Sequence, residues 1–188
     1  MNLYVTPTAK LPKPNPINIE LSKRMRAQTI FNIAALENSP YTYPEVQTLL
    51  EGVTVGGHRL EDQQLILNQD ESWKALYKAL ANNTFSLDKD FVCQLHAIVA
   101  NGEALEWGVF RSSQVGIAGT EYAPPKADEL DAIFCDLMDA IKGLHPVDRA
   151  INYFLRASKA QFFFDGNKRT ARLVANGILL NLGWNSTP

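Results

Sequence analysis

The chain is poor in the residues that build covalent or metal-bound scaffolds: of 188 residues, two are cysteine and three are histidine. Cys93 and Cys135 lie far apart with no companion spacing, so they read as buried, reduced thiols and not as a disulfide or zinc framework. His58, His96 and His145 show no metal-ligand spacing. No apolar run is long enough to cross a bilayer, which argues against a membrane partner. The opening Met1-Asn-Leu-Tyr-Val-Thr-Pro7 lacks the basic and apolar regions of a secretory leader. These absences together point to the cytoplasm. Excess positive charge is missing too: a formal net charge of −2 argues against nucleic acid as the main partner. Repeats, low-complexity tracts and interdomain linkers are absent, and the length suits one domain with a proper core. Homo-oligomerisation stays open.

What is present is mostly helical periodicity. Residues 1–16 carry several prolines and read as an extended arm, and 17–188 as the folded domain. From Ile17 to Asn38 a first helix places Leu21, Met25, Ile30, Ile33 and Leu36 on one face. Pro44 opens a short helix with Gly52 at its end, and a long helix runs through Leu60, Leu67, Trp73, Leu76, Tyr77 and Leu80. Ser86 is the expected cap of the next helix. The segment 106–120 differs: Val109, Val115 and Ile117 alternate with small or polar residues, which predicts a short β-hairpin. A strongly amphipathic helix follows from Leu130 to Ile141. Another runs from Pro146, and a last one from near Asn167 to about Gly183.

The most informative stretch joins the last two helices: Gln161-Phe-Phe-Phe-Asp-Gly-Asn-Lys-Arg-Thr-Ala-Arg172. Its apolar start anchors a turn in the core. Gly166 permits close backbone approach to a ligand, and the free N–H groups of the following helix suit an anion. Arg169 and Arg172, at i and i+3, add two positive charges on one side. Asp165 offers a hard oxygen for Mg²⁺ beside a polyphosphate. The same letters also suit an ordinary helix start with solvated arginines.

This stretch resembles the signature of the Fic (Fido) family, His-Pro-Phe-x-Asp/Glu-Gly-Asn-Gly/Lys-Arg-x-x-Arg, at Phe163 and at every position from Asp165 to Arg172. Upstream, Gly108-Val-Phe-Arg111 and Gln114-Val-Gly-Ile-Ala-Gly119 resemble the family's arginine and flap, and the resemblance extends from about Leu11 to the C-terminus. It implies a mainly α fold, a Fic-like helical core with a β-hairpin flap. It also implies transfer of AMP from ATP to a hydroxyl of a target protein. By the same resemblance, Gly166, Asn167, Lys168, Arg169 and Arg172 would bind the nucleotide, and Asp165 would hold Mg²⁺. Gln114, Val115, Gly116 and Ile117 would dock a target bearing Ser, Thr or Tyr. Ile33-Ala-Ala-Leu-Glu37-Asn38 resembles the family's inhibitory motif, Ser/Thr-x-x-x-Glu-Gly/Asn, within the helix 17–38. That resemblance implies that Glu37 pairs with Arg172.

Two positions depart from the signature: Gln161 stands where the family has its histidine base, and Phe162 where it has proline. Glutamine orients a hydroxyl but does not titrate. Lys168 stands where AMP-transferring members usually carry glycine, and lysine there goes with phosphoryl transfer in the Doc branch. Three readings therefore compete: an autoinhibited adenylyltransferase with a degenerate motif, an inactive nucleotide-binding module, and a Doc-like phosphotransferase.

Overall fold

The computed structural model describes residues 13–117 and 119–187. Most of the expected N-terminal arm, residues 1–12, lies outside the described residues. The described residues form seven α-helices: α1 (Pro16–Leu36), α2 (Tyr43–Leu50), α3 (Leu60–Ala81), α4 (Lys89–Val99), α5 (Leu130–Ile141), α6 (Pro146–Ala160) and α7 (Asn167–Asn181).

The helix boundaries follow local chemistry. Asn15 caps α1, its side chain accepting from the Ile17 N–H at 2.9 Å, with Pro16 in the first turn. Thr42 and Glu45 form a reciprocal capping box on α2. The cap of α4 is Asp88, not Ser86: the Asp88 carboxylate accepts from the Phe91 N–H at 2.9 Å, and the Ser86 hydroxyl donates to Asp88 in turn. A carboxylate outcompetes a hydroxyl there because it also meets the positive end of the helix dipole.

α7 is the central element. It runs alongside α6 and also packs against α4, α3 and α1. Its residues from Leu173 to Leu180 are all buried, so nearly every face of this helix is interior. The expected inner face of α1 is met only in part, at Ile30 and Ile33. Ile19, Ile30, Ile33 and Ala34 are buried, whereas Leu21, Met25 and Leu36 are exposed. α1 carries apolar residues on both faces, so periodicity alone did not select the inner one.

No strand forms among the described residues, so the expected hairpin at 106–120 is not present as a ladder. Side chains hold the two limbs of this loop together. Arg111 donates to the carbonyls of Ser113 (2.7 Å) and Pro125 (2.6 Å), and the Gln114 amide donates to the Pro124 carbonyl (2.7 Å). Pro124 and Pro125 have no N–H, so the limb that would complete a ladder cannot donate to it.

The packing of α7 yields a test. A Cβ at Gly177 would lie 2.4 Å from Cε2 of Phe85 and 2.9 Å from Cδ1 of the fully buried Leu76. Gly177→Ala should therefore destabilise the protein by about 1–3 kcal/mol in denaturant unfolding, despite the better helix propensity of alanine.

Candidate functional site

Between α6 and α7 the chain reverses over residues 161–166, and an aromatic cluster fixes that turn. Phe162 and Phe163 are both 2% exposed. Phe162 stacks on Phe110 at 4.8 Å and meets Phe134 edge-on at 5.5 Å. Phenylalanine at 162 thus fills a core position by area burial. Gln161 adopts a left-handed backbone (φ 51°, ψ 59°), a conformation that non-glycine residues rarely occupy. Arg111 holds it there, donating from Nε to the Gln161 carbonyl at 2.6 Å, while the Arg111 N–H donates to the Phe162 carbonyl at 2.9 Å.

The Asn167 side chain closes the turn. Its Oδ1 accepts from the Phe163 N–H at 2.9 Å, and its Nδ2 donates to the Phe163 carbonyl at 2.7 Å. One amide thereby satisfies both main-chain polar groups of a buried residue. The Asn167 side chain is consequently a structural clamp, and what it offers a ligand is its backbone N–H. Gln161 is occupied as well: its Nε2 donates to the Ser158 carbonyl at 2.6 Å, and its Oε1 accepts from Asn167 at 3.1 Å.

Beneath the turn sits His96, on α4 and fully buried. Its Nε2 donates to the Asp165 carbonyl at 2.9 Å, and its Nδ1 accepts from the Gly108 N–H at 3.0 Å. The backbone donor at Nδ1 fixes the neutral tautomer with its proton on Nε2. The ring stacks on Phe163 at 3.6 Å with 5° between planes. Burial, assisted by the nearby charge of Arg169, pushes its pKa down to about 4. Gly166 rests on the same helix. At φ 68° it starts α7, and a Cβ there would approach Ala100 at 3.3 Å and the His96 ring at 3.5 Å.

The first turn of α7 points its unpaired N–H groups into a cleft of about 460 Å³. The cleft gathers Gln161, Asp165, Gly166, Asn167, Lys168, Arg169 and Arg172 with Glu37 from the end of α1 and with Gly116 and Ile117 from the loop. Gln114 and Val115 are not among its lining residues. The two arginines differ sharply. Arg169 is buried: its Nη1 donates to Glu103 at 2.6 Å, its Nε lies 3.8 Å from Glu37 and its Nη2 lies 3.8 Å from Asp165. Arg172 is half-buried over the Phe154 ring at 5.9 Å and has no carboxylate partner among the described residues. The expected ion pair of Glu37 with Arg172 does not form among the described residues; the Glu37 carboxylate lies 3.8 Å from Arg169 Nε.

Asp165 is 62% exposed on its side chain, and its Oδ1 accepts from the Gly166 N–H at 2.6 Å. Its Oδ2 has no partner among the described residues. No group of three or more metal-ligating side chains occurs among the described residues. A single free carboxylate oxygen beside a phosphate-sized anion site fits Mg²⁺, which keeps waters and takes phosphate oxygens for the rest of its shell. No described helix is long and apolar enough to cross a membrane. His96 and Glu103 were not singled out from the sequence. His96 had one signal, its place among Val92, Leu95 and Val99 on the inner face of α4, whereas Glu103 had none.

A model described as the Fic/DOC family matches residues 86–179. The protein named "Protein adenylyltransferase Fic" of Nematostella vectensis is 26% identical over 189 residues, covering 97% of this chain and 43% of that relative. Its namesake in Drosophila willistoni is 27% identical over 164 residues, covering 84% of this chain and 32% of that relative. The chain thus spans less than half the length of these curated relatives. Among solved structures, a Fic family protein from Desulfovibrio desulfuricans superposes with a TM-score of 0.76 at 26% identity, covering 89% of this chain and 50% of that one. A Fic domain-containing signalling protein from Bacteroides thetaiotaomicron superposes with a TM-score of 0.78 at 22% identity, covering 94% of this chain and 71% of that one.

The buried imidazole generates a pH dependence. A histidine held at about 4 in the fold and at 6.5 when unfolded contributes stability that is fully present above pH 6.5 and is lost as pH falls towards 4. The loss should reach about 3 kcal/mol by linkage. Denaturant titrations between pH 7 and 4.5 should show it. His96→Gln, less stable at neutral pH, should have a flatter profile across that window.

Proposed function

The chain belongs to the Fic/DOC family, and from that premise we propose that it transfers AMP from Mg-ATP to a hydroxyl side chain of a protein target, under restraint by Glu37. The observation that carries this reading is the cleft itself, where the α7 N-terminus, Lys168, Arg169 and Arg172 converge on one anion-sized space beside Asp165. The names of the relatives, protein adenylyltransferase Fic, support the same reaction class.

The backbone of Gly166 and the first turn of α7 would hold the phosphates. Arg172, which has no carboxylate partner among the described residues, would clamp them together with the Nε–Nη2 edge of Arg169. The nucleobase would lie against the apolar groove of about 440 Å³ between α6 and α7, which shares Phe154 and Arg172 with the cleft. Mg²⁺ held by Asp165 would supply charge neutralisation on the phosphate oxygens. The acceptor hydroxyl oxygen would form a bond to the α-phosphorus while the bond from that phosphorus to the departing pyrophosphate breaks. The two arginines would stabilise the negative charge gathering on the leaving group. Gln161 does not take a proton, so the hydroxyl proton would pass to water. Positioning and electrostatics supply much of the rate in such transfers, so an amide at this position slows the reaction without removing its basis.

Residues 114–117 would dock the target. They make no backbone hydrogen bond with one another or with other described residues, and Gly116 and Ile117 border the cleft. An extended target segment could pair with this free main chain as an added strand. Glu37 would act as a brake by drawing the cleft-facing edge of Arg169 towards itself. A carboxylate on that edge and a phosphate on that edge exclude each other.

One observation favours a second reading, a nucleotide-binding module without transfer. The Gln161 amide is engaged at both ends by Ser158 and Asn167, which leaves one N–H and one lone pair to orient an acceptor. A third, phosphoryl transfer, rests on the exposed Lys168 at the cleft rim.

Incubation with Mg²⁺ and ATP labelled at either the α or the γ phosphorus separates these. Transfer of AMP predicts α label on protein, more of it in Glu37→Gly, and a rise of about 10²–10⁴-fold in Gln161→His. Label from the γ position alone would replace this reading with phosphotransfer. ATP binding with no label in the parent protein or in Glu37→Gly, restored only by Gln161→His, would leave the binding module.

A further inference from the structure

Arg169 is anchored from behind by a residue that the signature does not contain. Glu103 lies just beyond α4, its backbone N–H donating to the Ala100 carbonyl at 3.1 Å. Its carboxylate is only 15% exposed and reaches Arg169, itself 4% exposed, across 66 residues of sequence. The two carboxylate oxygens do different jobs. Oε2 accepts from Arg169 Nη1 at 2.6 Å, and Oε1 accepts from Asn68 Nδ2 at 2.7 Å. Asn68 is buried on α3 and is itself tied to the Asn101 carbonyl at 2.9 Å and to Gln64 at 2.8 Å. The guanidinium therefore has one nitrogen committed to a rigid chain of hydrogen bonds. Its opposite edge, Nε and Nη2, faces the cleft with Glu37 and Asp165 each at 3.8 Å, beyond hydrogen-bonding distance.

We infer that Glu103, backed by Asn68, is the positioning residue that holds the Nε–Nη2 edge of Arg169 towards a bound phosphate. The inference rests on the reading of the cleft as a nucleotide site. A guanidinium is a planar fork, so fixing Nη1 also fixes the direction of the remaining two donors. Pre-organisation of that kind lowers the ordering cost of binding. The alternative role for a carboxylate so near a phosphate site is repulsion, and the two roles have opposite signatures. Glu103→Asp keeps the charge but withdraws it by one methylene, so the 2.6 Å contact is lost. Glu103→Gln keeps the reach and an acceptor oxygen but removes the charge.

Calorimetric titration with Mg-ATP and with adenosine distinguishes the roles. Positioning predicts that Glu103→Asp weakens Mg-ATP binding on the order of tenfold, leaves adenosine binding unchanged, and has no further effect in an Arg169→Ala background. Glu103→Gln should lose less than Glu103→Asp. A gain in Mg-ATP affinity in Glu103→Gln with no change in Glu103→Asp would overturn the proposal in favour of repulsion. Equal losses with and without Arg169, or for adenosine as well, would reduce Glu103 to a structural role. The arginine side-chain Nε–H resonance of Arg169 gives a second readout that needs no nucleotide. It should exchange slowly in the parent protein and in Glu103→Gln and be broadened in Glu103→Asp. An unchanged resonance in Glu103→Asp would overturn the proposal. A parent protein that binds no nucleotide but shows this resonance pattern would fail the nucleotide reading and leave Glu103 as the residue that orients Arg169.

Discussion

One buried imidazole sets the position of the turn on which the cleft depends. His96 touches two other parts of the chain. It donates to the carbonyl of Asp165, accepts from the N–H of Gly108 and stacks on the ring of Phe163. These contacts join α4, the loop that leads to Arg111, and the turn before α7. A neutral ring does this without a buried charge, because burial itself disfavours the protonated form. The start of α7 is thereby placed to within the tolerance of two hydrogen bonds and one stack, and the direction of the N–H groups in its first turn follows.

With the turn fixed, the cleft divides its cations by environment. Arg169 lies among carboxylates, one in firm contact and two at longer range. Arg172 leans on an aromatic ring and has no carboxylate partner among the described residues. Two guanidinium groups one helical turn apart are consequently not equivalent: one is oriented and largely neutralised, the other keeps its charge for whatever enters. The asymmetry arises from their neighbours, since the two residues share a helix and a face.

Much of this was legible in the sequence. The helix boundaries, the turn at Asp165–Gly166 and the gathering of the signature residues followed from caps, breakers and spacing. The failures have physical causes. The inner face of α1 was read correctly at Ile30 and Ile33 but not at Leu21, Met25 and Leu36, which are as apolar as the buried Ile19. A hairpin was expected because alternation near Val115 mimics a strand, while the side chains of Arg111 and Gln114 do the work that a ladder would do. Glu37 lies 3.8 Å from Arg169 while Arg172 rests on Phe154, an arrangement that sequence spacing does not report. His96 and Glu103 act on partners 69 and 66 residues away, and no local pattern encodes such distances.

The clamps on the turn grip main chain. Arg111 binds the carbonyl of Gln161, Asn167 binds the N–H and carbonyl of Phe163, and His96 binds the carbonyl of Asp165. None of these requires a particular side chain at 161. The scaffold is thus insulated from the identity of the residue at its most chemically exposed corner. That side chain can change, and with it the chemistry, while these main-chain clamps stay in place. A glutamine at this corner is the kind of variation such an arrangement permits.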